Sequence, residues 1–368
     1  MKICHLTSVH SYTDIRISIK ECTSLVKAGF EVHLIAPNTQ EENLNGIHVH
    51  GVMNTYKGRI NRVKNFTNDI YQKALEVDAE IYHFHDPELI PSGLKLKKKG
   101  KKVIYDVHED VPRQIASKHW IPKYLRKSIS IGFEKYENRS VKKLDALVTA
   151  TPHIEQRFLS YSSNIKNVNN YPVMEELYIP DSETLLRKEK SVIYVGGISK
   201  DRGSVNTVKA IGNTDATLKL AGRFANQNEK AILEELDEWE NVNFLGFIDR
   251  KEIKSELETS MVGIVVLEPR VNYIDSLPIK MFEYMATGLP VIASNFPLWK
   301  EIIEGNNCGI CVDPLNVEEI SKAIQWIIDH PVQAKEMGQN GRKAVETQYN
   351  WESESRKLLN LYEKLSEQ

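Results

Sequence analysis

Apolar residues along this chain fall into two alternating patterns. Short, nearly unbroken apolar runs read as buried strands: KICHLTSV at 2–9, FEVHLIAP at 30–37, GIHVHGV at 46–52, AEIYHFHD at 79–86, KKVIYDVHED at 101–110 and DALVTATP at 145–152. Between them lie stretches with apolar residues three and four apart, as at Ile15, Ile19, Cys22 and Leu25, which predict helices. Asp14 suits the start of that first helix and Gly29 its left-handed end. Further helices are predicted at 59–77, at Pro91–Lys99 before Gly100, and at Lys123–Lys143. A strand, a helix and a strand in this order predict a right-handed crossover and a parallel sheet.

The alternation restarts after NNYPV at 169–173. SVIYVGG, TLKLAGR, VNFLGF, MVGIVVLE and PVIAS are strand-like, and helices are expected near Val205, Ala231, Ile253, Ile279–Ala286, Glu318–His330 and Ala334–Tyr349, with a last one at 350–365. No short repeat occurs. A chain of 368 residues exceeds one ordinary core. The expected architecture is α/β, with two Rossmann-like domains (1–172 and 173–349), a linker near 170–190 and a cleft between them.

Charge sharpens the division. Residues 1–172 hold 26 Lys+Arg against 18 Asp+Glu, and the remainder 22 against 32, so a basic half precedes an acidic one within a net charge of −2. With 41% hydrophobic and 27% charged residues, the composition is that of a soluble globular protein. MKICHLTSVH carries no signal-peptide core and no apolar run approaches membrane-spanning length, so the expected location is the cytoplasm or the inner face of a membrane. The basic run Lys95–Lys102 and the segment WIPKYLRKSISIGFEK read either as solvated helix ends or as attraction to anionic lipid. Nucleic acid is disfavoured because no recognition motif accompanies the charge. The CxxC from Cys308 to Cys311 lacks a second pair, and buried thiols are expected there.

Candidate chemistry concentrates in DSLPIKMFEYMATGLPVIAS, residues 275–294. A turn at Asp275, Ser276 and Pro278 runs into a helix whose first N–H groups, with those of Ser276 and Leu277, suit a phosphate. Lys280 and Glu283 lie three apart on one face. Lys280 suits a phosphate and Glu283 a ribose diol; a salt-bridged pair on a core helix is the other reading. In YVGGISKDRGS, Gly196, Gly197, Arg202 and Gly203 fall between a strand and a helix, as a phosphate loop or a tight turn. The spacing is not GxGxxG, and no acidic residue follows about twenty positions on, which disfavours a dinucleotide dehydrogenase. In the first half, His83, His85 and Asp86 in YHFHDPE, and His108 and Glu109 in YDVHEDV, sit at strand ends, where open α/β sheets bind ligands. His83 and His85 share a strand face, but no partner ligands at recognisable spacing complete a metal site. Asp14 and Arg16 stand at the first strand-to-helix crossing, either as an ordinary charge pair or with Arg16 reaching an anion.

These residues together resemble the GT-B-fold retaining glycosyltransferases of family 4, most specifically at Pro278–Ser294, then at YVGGISKDRG, with FHDPEL, YDVHED and Tyr349-Asn-Trp351 in support. The resemblance extends over nearly the whole chain. It implies transfer from a nucleotide sugar, UDP-linked, to a glycan or lipid-linked acceptor in capsule or O-antigen-type polysaccharide synthesis, with retention and without a metal or other cofactor. It implies that Glu283 binds the ribose and that amides near Ser276 and Leu277 meet the diphosphate. Arg202 stands where the family has a phosphate-binding lysine, and His108 matches the histidine at the donor sugar. A final helix, 350–368, is implied to pack back on the first domain. Asp275 occupies a slot where the family has a glutamate, Gly197 one where it has an arginine, and SVHSYTDIRI replaces a glycine-rich loop. Lys280 and Arg16 are therefore the expected substitutes for the missing phosphate contacts. Asp14, His85, Asp86 and Glu109 are the acceptor-side candidates. A front-face displacement, assisted by the departing diphosphate, is the mechanism expected of such a site. A nucleotide-sugar epimerase of the same architecture and a non-catalytic glycan-binding module are the competing readings.

Overall fold

The computed structural model describes residues 1–58, 61–116, 121–177, 179 and 189–367. Residues 59–60 of the expected second helix, Trp120 of the basic segment, residues 178 and 180–188 of the expected linker and Gln368 of the expected last helix lie outside the described residues. Two compact units emerge: Met1–Asn170 together with Trp351–Gln368, and Tyr171–Asn350. The sequence placed this boundary at 172, two residues later.

The first unit holds β1 (Lys2–Leu6), β2 (Glu31–Pro37), β3 (Glu42–Leu44), β4 (Ile47–Val52), β5 (Ile81–Phe84), β6 (Lys102–Val107), β7 (Ala146–Thr149) and β8 (Ile165–Asn167). Their order is β3-β4-β2-β1-β5-β6-β7-β8, parallel except for the β3–β4 pair. The second unit holds β9 (Ser191–Val195), β10 (Thr217–Ala221), β11 (Val242–Gly246), β12 (Val262–Val265), β13 (Val291–Ser294) and β14 (Gly309–Val312), in the all-parallel order β11-β10-β9-β12-β13-β14. Each sheet is doubly wound. The chain changes direction at β1/β5 in one and at β9/β12 in the other, and the carboxyl ends beside such a switch are where ligands bind.

The strands missing from the sequence reading are β3, β8 and β14. The first two have three residues each and lie at or next to a sheet edge, where half-exposed residues leave no apolar run. The third, GICV, contains Cys311, and Cys308 just before it is buried; burial pushes both thiols up to about 12, so these are packing residues.

Asp14 caps the first helix as expected, accepting from the Arg16 and Ile17 amides at 2.9 and 3.0 Å. Ile15–Cys22 is wound more widely than an α-helix, and the Asp14 carbonyl takes both Ser18 and Ile19 amides before Thr23–Lys27 resumes α geometry. That winding brings residues five apart onto one face, and Arg16 Nε stands 3.1 Å from Glu21 Oε1.

The terminal helix Trp351–Ser366 closes the first unit. Leu358, Leu361 and Leu365 are buried, Trp351 Nε1 donates to Ser24 Oγ at 2.9 Å, and Glu354 accepts the Asn169 amide at 2.9 Å. Trp351→Ala should cost about 3–5 kcal/mol of stability in urea unfolding; a midpoint unchanged from the parent protein would show that the helix is dispensable.

Candidate functional site

In the second unit, the carboxyl end of β9 opens into Gly196 and Gly197, a turn at Lys200–Arg202 and the helix Ser204–Ile211. Gly203 has φ +76°, and a Cβ there would stand 1.7 Å from the Val266 carbonyl oxygen. Only glycine lets this loop lie against the end of β12. The Glu268 amide donates to the Asp201 carbonyl at 3.0 Å, and Arg270 joins the Asp201 and Glu268 carboxylates at 2.5 and 2.8 Å.

The space above Gly197 belongs to Arg202, whose guanidinium would lie 3.5 Å from a Cβ at that glycine. The guanidinium thus occupies the space that a side chain at position 197 would take. Tyr194 shapes the same corner: its hydroxyl donates to the Gly197 carbonyl at 2.8 Å, and its ring lies 3.8 Å beneath the Lys280 ammonium.

Lys280 is the unusual residue of this unit. It is 8% exposed on the helix Ile279–Ala286, and among the described residues its Nζ has no hydrogen-bond partner. Burial first, and the Arg202 charge second, push the ammonium down to about 7, with Glu283 opposing. A buried, unpaired cation beside a second cation is unfavourable unless an anion completes the site.

Glu283 is also buried, and Arg250 Nη1 holds its Oε1 at 2.7 Å while Nη2 reaches Glu176 at 3.1 Å. The bond orients the carboxylate and leaves its second oxygen for a further donor. Arg250 escaped the sequence reading because it begins a helix in the run DRKE, indistinguishable there from a solvated helix start.

Ser276 corrects an expectation. Its amide already donates to the Tyr273 carbonyl at 3.1 Å, as does its hydroxyl at 2.8 Å, and its carbonyl accepts Trp299 Nε1 at 2.7 Å. Among the described residues no hydrogen bond engages the Leu277 or Ile279 amide, so the anion-facing donors start one residue later. Asp275 is half-buried where the short helix Val271–Ile274 ends.

In the first unit, the ends of β1, β5 and β6 gather the other candidates. Arg16 is corrected outright. It is 5% exposed; Nε and Nη2 clasp Asp106 at 3.0 Å each and Nη1 donates to the Val168 carbonyl at 2.9 Å, so its charge is committed to a buried carboxylate and not to a phosphate. His85 is likewise buried, with Nε2 2.9 Å from His5 Nδ1 and Nδ1 3.3 Å from Asp106, so it cannot grip an acceptor. His108 is half-buried at the rim, its Nε2 2.9 Å from Asp106 Oδ2. Glu109 beside it is exposed.

Asp14 and Asp86 flank a residue the sequence reading passed over. His10 lies 3.4 Å from each carboxylate, and its ring centre is 5.3 Å from that of His108. The hydrogen bonds to Asp14 and Asp86 push its pKa up to about 10 against the effect of burial, so it is an imidazolium. Burial works to raise both carboxylates, but His10 and the Ile17 and Ser8 amides outweigh it and hold each at about 2. Asp86 also accepts from the Thr7 hydroxyl and the Ser8 amide. The loop SVHSYTD, which stands in for a glycine-rich loop, therefore carries its positive charge on His10 and not on Arg16.

Lys280 should make the empty protein more stable in mild alkali. Its folded pKa lies below the ordinary 10.5, so the unfolded chain binds the extra proton and stability rises between about pH 7 and pH 10. Lys280→Met should flatten that rise, by on the order of a few kcal/mol, in denaturant titrations at pH 6.5 and 9.5. An identical pH slope in both proteins would mean that the ammonium is not destabilised.

Residues 179–344 match the family model for glycosyl transferases group 1, and residues 20–168 that for glycosyltransferase family 4. Among curated relatives, the MMP alpha-(1->4)-mannosyltransferase of Mycolicibacterium hassiacum is 22% identical over 299 residues, covering 76% of this chain and 70% of that one. A GDP-mannose-dependent monoacylated alpha-(1-6)-phosphatidylinositol monomannoside mannosyltransferase of Corynebacterium glutamicum is 27% identical over 33% of this chain and 32% of its own length. In structure, sucrose-phosphate synthase from Thermosynechococcus elongatus superposes with a TM-score of 0.81 at 18% identity, covering 99% of this chain and 98% of that one. Anabaena HepE in complex with UDP gives 0.75 at 12% identity, covering both chains completely. The two matched family models, one on each doubly wound unit, place this chain among the GT-B-type glycosyltransferases.

Proposed function

We propose that this chain moves a sugar from a nucleoside-diphosphate sugar, with UDP as the nucleotide, to a hydroxyl of a glycan or lipid-linked acceptor during surface-polysaccharide synthesis, with retention of configuration. The observation that carries this reading is the buried, unpartnered Lys280 ammonium beside the Arg202 guanidinium. Two cations and the unengaged amides of Leu277 and Ile279 supply the charge and donors that a diphosphate takes, without a metal being called for. The same groups stabilise that diphosphate as it departs, which is where negative charge develops in glycosyl transfer. Glu283, oriented by Arg250, accepts from the ribose diol through its free oxygen.

On this reading the departing phosphate oxygen removes the acceptor proton, and His108 meets the transferred sugar. Asp275, one methylene shorter than the family's glutamate, is the residue that selects among sugars. Glu109 and the Asp14–His10–Asp86 group are the acceptor-side polar groups. UDP is supported by the HepE structures, which are described with UDP and UDP-glucose, while one mannosyltransferase relative is named for GDP-mannose.

A thermal-shift panel of UDP, GDP, ADP and their common sugar conjugates separates these donors, because a ligand that binds only the folded chain raises its melting temperature. UDP and a UDP-sugar should give the largest shift, and Glu283→Ala should lower transfer about 100-fold. A fully active Glu283→Ala enzyme would remove the ribose assignment, and no shift with any nucleotide would remove the function.

Membrane contact is part of the proposal. No helix among the described residues is long and apolar enough to cross a membrane, but Lys123–Val141 leaves Tyr124, Leu125, Ile129, Ile131 and Tyr136 exposed among Lys123, Arg126, Lys127 and Lys135. Apolar side chains interleaved with basic ones suit the headgroup region of an anionic leaflet. Sedimentation with vesicles containing phosphatidylglycerol should carry the protein down at low salt and release it at high salt; equal recovery with neutral vesicles would count against lipid charge as the attraction.

A further inference from the structure

Three histidines lie inside the first unit, beyond any direct use in catalysis. His5 and His83 are register partners on β1 and β5, His85 follows on the same face, and all three are at most 2% exposed. Their ring centres are 4.7–5.1 Å apart. The hydroxyl of Tyr362, on the terminal helix, lies 2.8 Å from His83 Nδ1 and 3.1 Å from His5 Nε2.

The proton positions follow from one fixed acceptor. Asp106, clasped by Arg16, stays ionised: burial works to raise it, and the Arg16 charge followed by His108 and His85 outweighs burial and holds it well below the usual carboxylate range. Burial pushes His5 and His83 well down and His85 down to about 4, so each ring is neutral, with one N–H and one lone pair. His85 Nδ1, 3.3 Å from Asp106 Oδ2, must carry its proton. His85 Nε2 is then bare and accepts from His5 Nδ1 at 2.9 Å. His5 Nε2 is in turn bare and accepts the Tyr362 hydroxyl proton. With that proton spent, His83 Nδ1 donates to the Tyr362 oxygen, and His83 Nε2 ends the chain as a bare lone pair. Among the described residues that nitrogen is indeed buried without a partner.

His108 meets the same oxygen, Asp106 Oδ2, through Nε2 at 2.9 Å. The 3.2 Å approach of His85 Nδ1 to His108 Nε2 is therefore two donors converging on one acceptor. We propose that Asp106 is the positioning residue that fixes His108 as the Nε2–H tautomer, with Nδ1 offered as a hydrogen-bond acceptor, and that the same carboxylate orders His85, His5 and Tyr362 behind it as one chain of donors. The chain of donors stands on its own; that Nδ1 accepts from a hydroxyl of the transferred sugar rests on the function proposed above. The terminal helix then does more than cover the first sheet, because its Tyr362 donates its hydroxyl proton to His5 and accepts from His83, which closes the chain.

A metal ion is the competing occupant, since His5, Glu21, His83 and His85 each place a ligand atom within 4.8 Å of the others. Glu21 is buried with Oε1 3.1 Å from Arg16 Nε, and burial first and Asp106 second push its carboxyl well up. Two nitrogens on one tetrahedral zinc stand about 3.3 Å apart, from bonds of about 2.0–2.1 Å. The 2.9 Å between His5 Nδ1 and His85 Nε2 is a hydrogen-bond length, and the imidazoles of His5 and His85 are stacked.

The test is long-range proton–nitrogen NMR on the whole, ligand-free protein labelled with [15N]histidine, assigned by single His→Gln variants, with zinc content measured on the same sample. His5, His83 and His85 should appear protonated at Nδ1 and bare at Nε2, and His108 the reverse. In Tyr362→Phe, which keeps the ring volume, His83 loses its acceptor and should become a tautomer mixture, the His5 Nε2 signal should move, and His85 and His108 should keep their tautomers. The proposal is overturned if His5 or His85 is protonated at Nε2 or is an imidazolium. Stoichiometric zinc, or a folded Tyr362→Phe protein in which the His5 and His83 nitrogen signals do not move, overturns it equally. Should that variant not fold, the parent protein's tautomers decide the matter alone. The predicted tautomers without any nucleotide-induced thermal shift would leave the chain standing and remove the proposed function instead.

Discussion

The bidentate pair between Arg16 and Asp106 is the contact on which the first unit's interior depends. An ionised carboxylate in a buried strand costs several kcal/mol unless its lone pairs are filled, and here a guanidinium and two imidazoles fill them. The wide winding of Ile15–Cys22 follows, since it also brings Glu21 to Arg16. So does the neutral state of the histidines behind Asp106: the one strong cation in the cluster is committed to the one strong anion.

The second unit meets the opposite condition. Lys280 and Arg202 lie close together beside the loop that Gly203 packs against Val266, and among the described residues no carboxylate bonds to the Lys280 ammonium, Glu283 being engaged by Arg250. One unit has balanced its buried charge internally and the other has left an excess of positive charge. An unfilled charge of that kind is what a binding site for an anion requires, and it supports the proposed diphosphate site.

The loop SVHSYTD shows how a missing motif is replaced. A glycine-rich loop offers backbone amides; this one offers an imidazolium, His10, held charged between Asp14 and Asp86. Each of those carboxylates is spoken for by backbone amides as well, Asp14 as a helix cap and Asp86 through Ser8. Such a group is oriented before any substrate arrives.

Much of the architecture was legible in the order of residues. Buried parallel strands read as apolar runs, helices as three-to-four spacing, and two restarts of the same alternation as two doubly wound sheets, because these patterns are local consequences of backbone geometry. Lys280 and Glu283 were legible as well, since their spacing on one helix face is local. The short strands at or beside sheet edges were not, nor was the spent amide of Ser276, which is used by a carbonyl three residues back. Above all, the roles of Arg16 and His10 were decided by tertiary structure. Both are basic residues just after the first strand, and from sequence alone either can meet an anion. Asp106, ninety positions on, takes Arg16, while Asp14 and Asp86 hold His10. Which cation is spent and which is left for chemistry depends on carboxylates that only folding brings within about 3 Å.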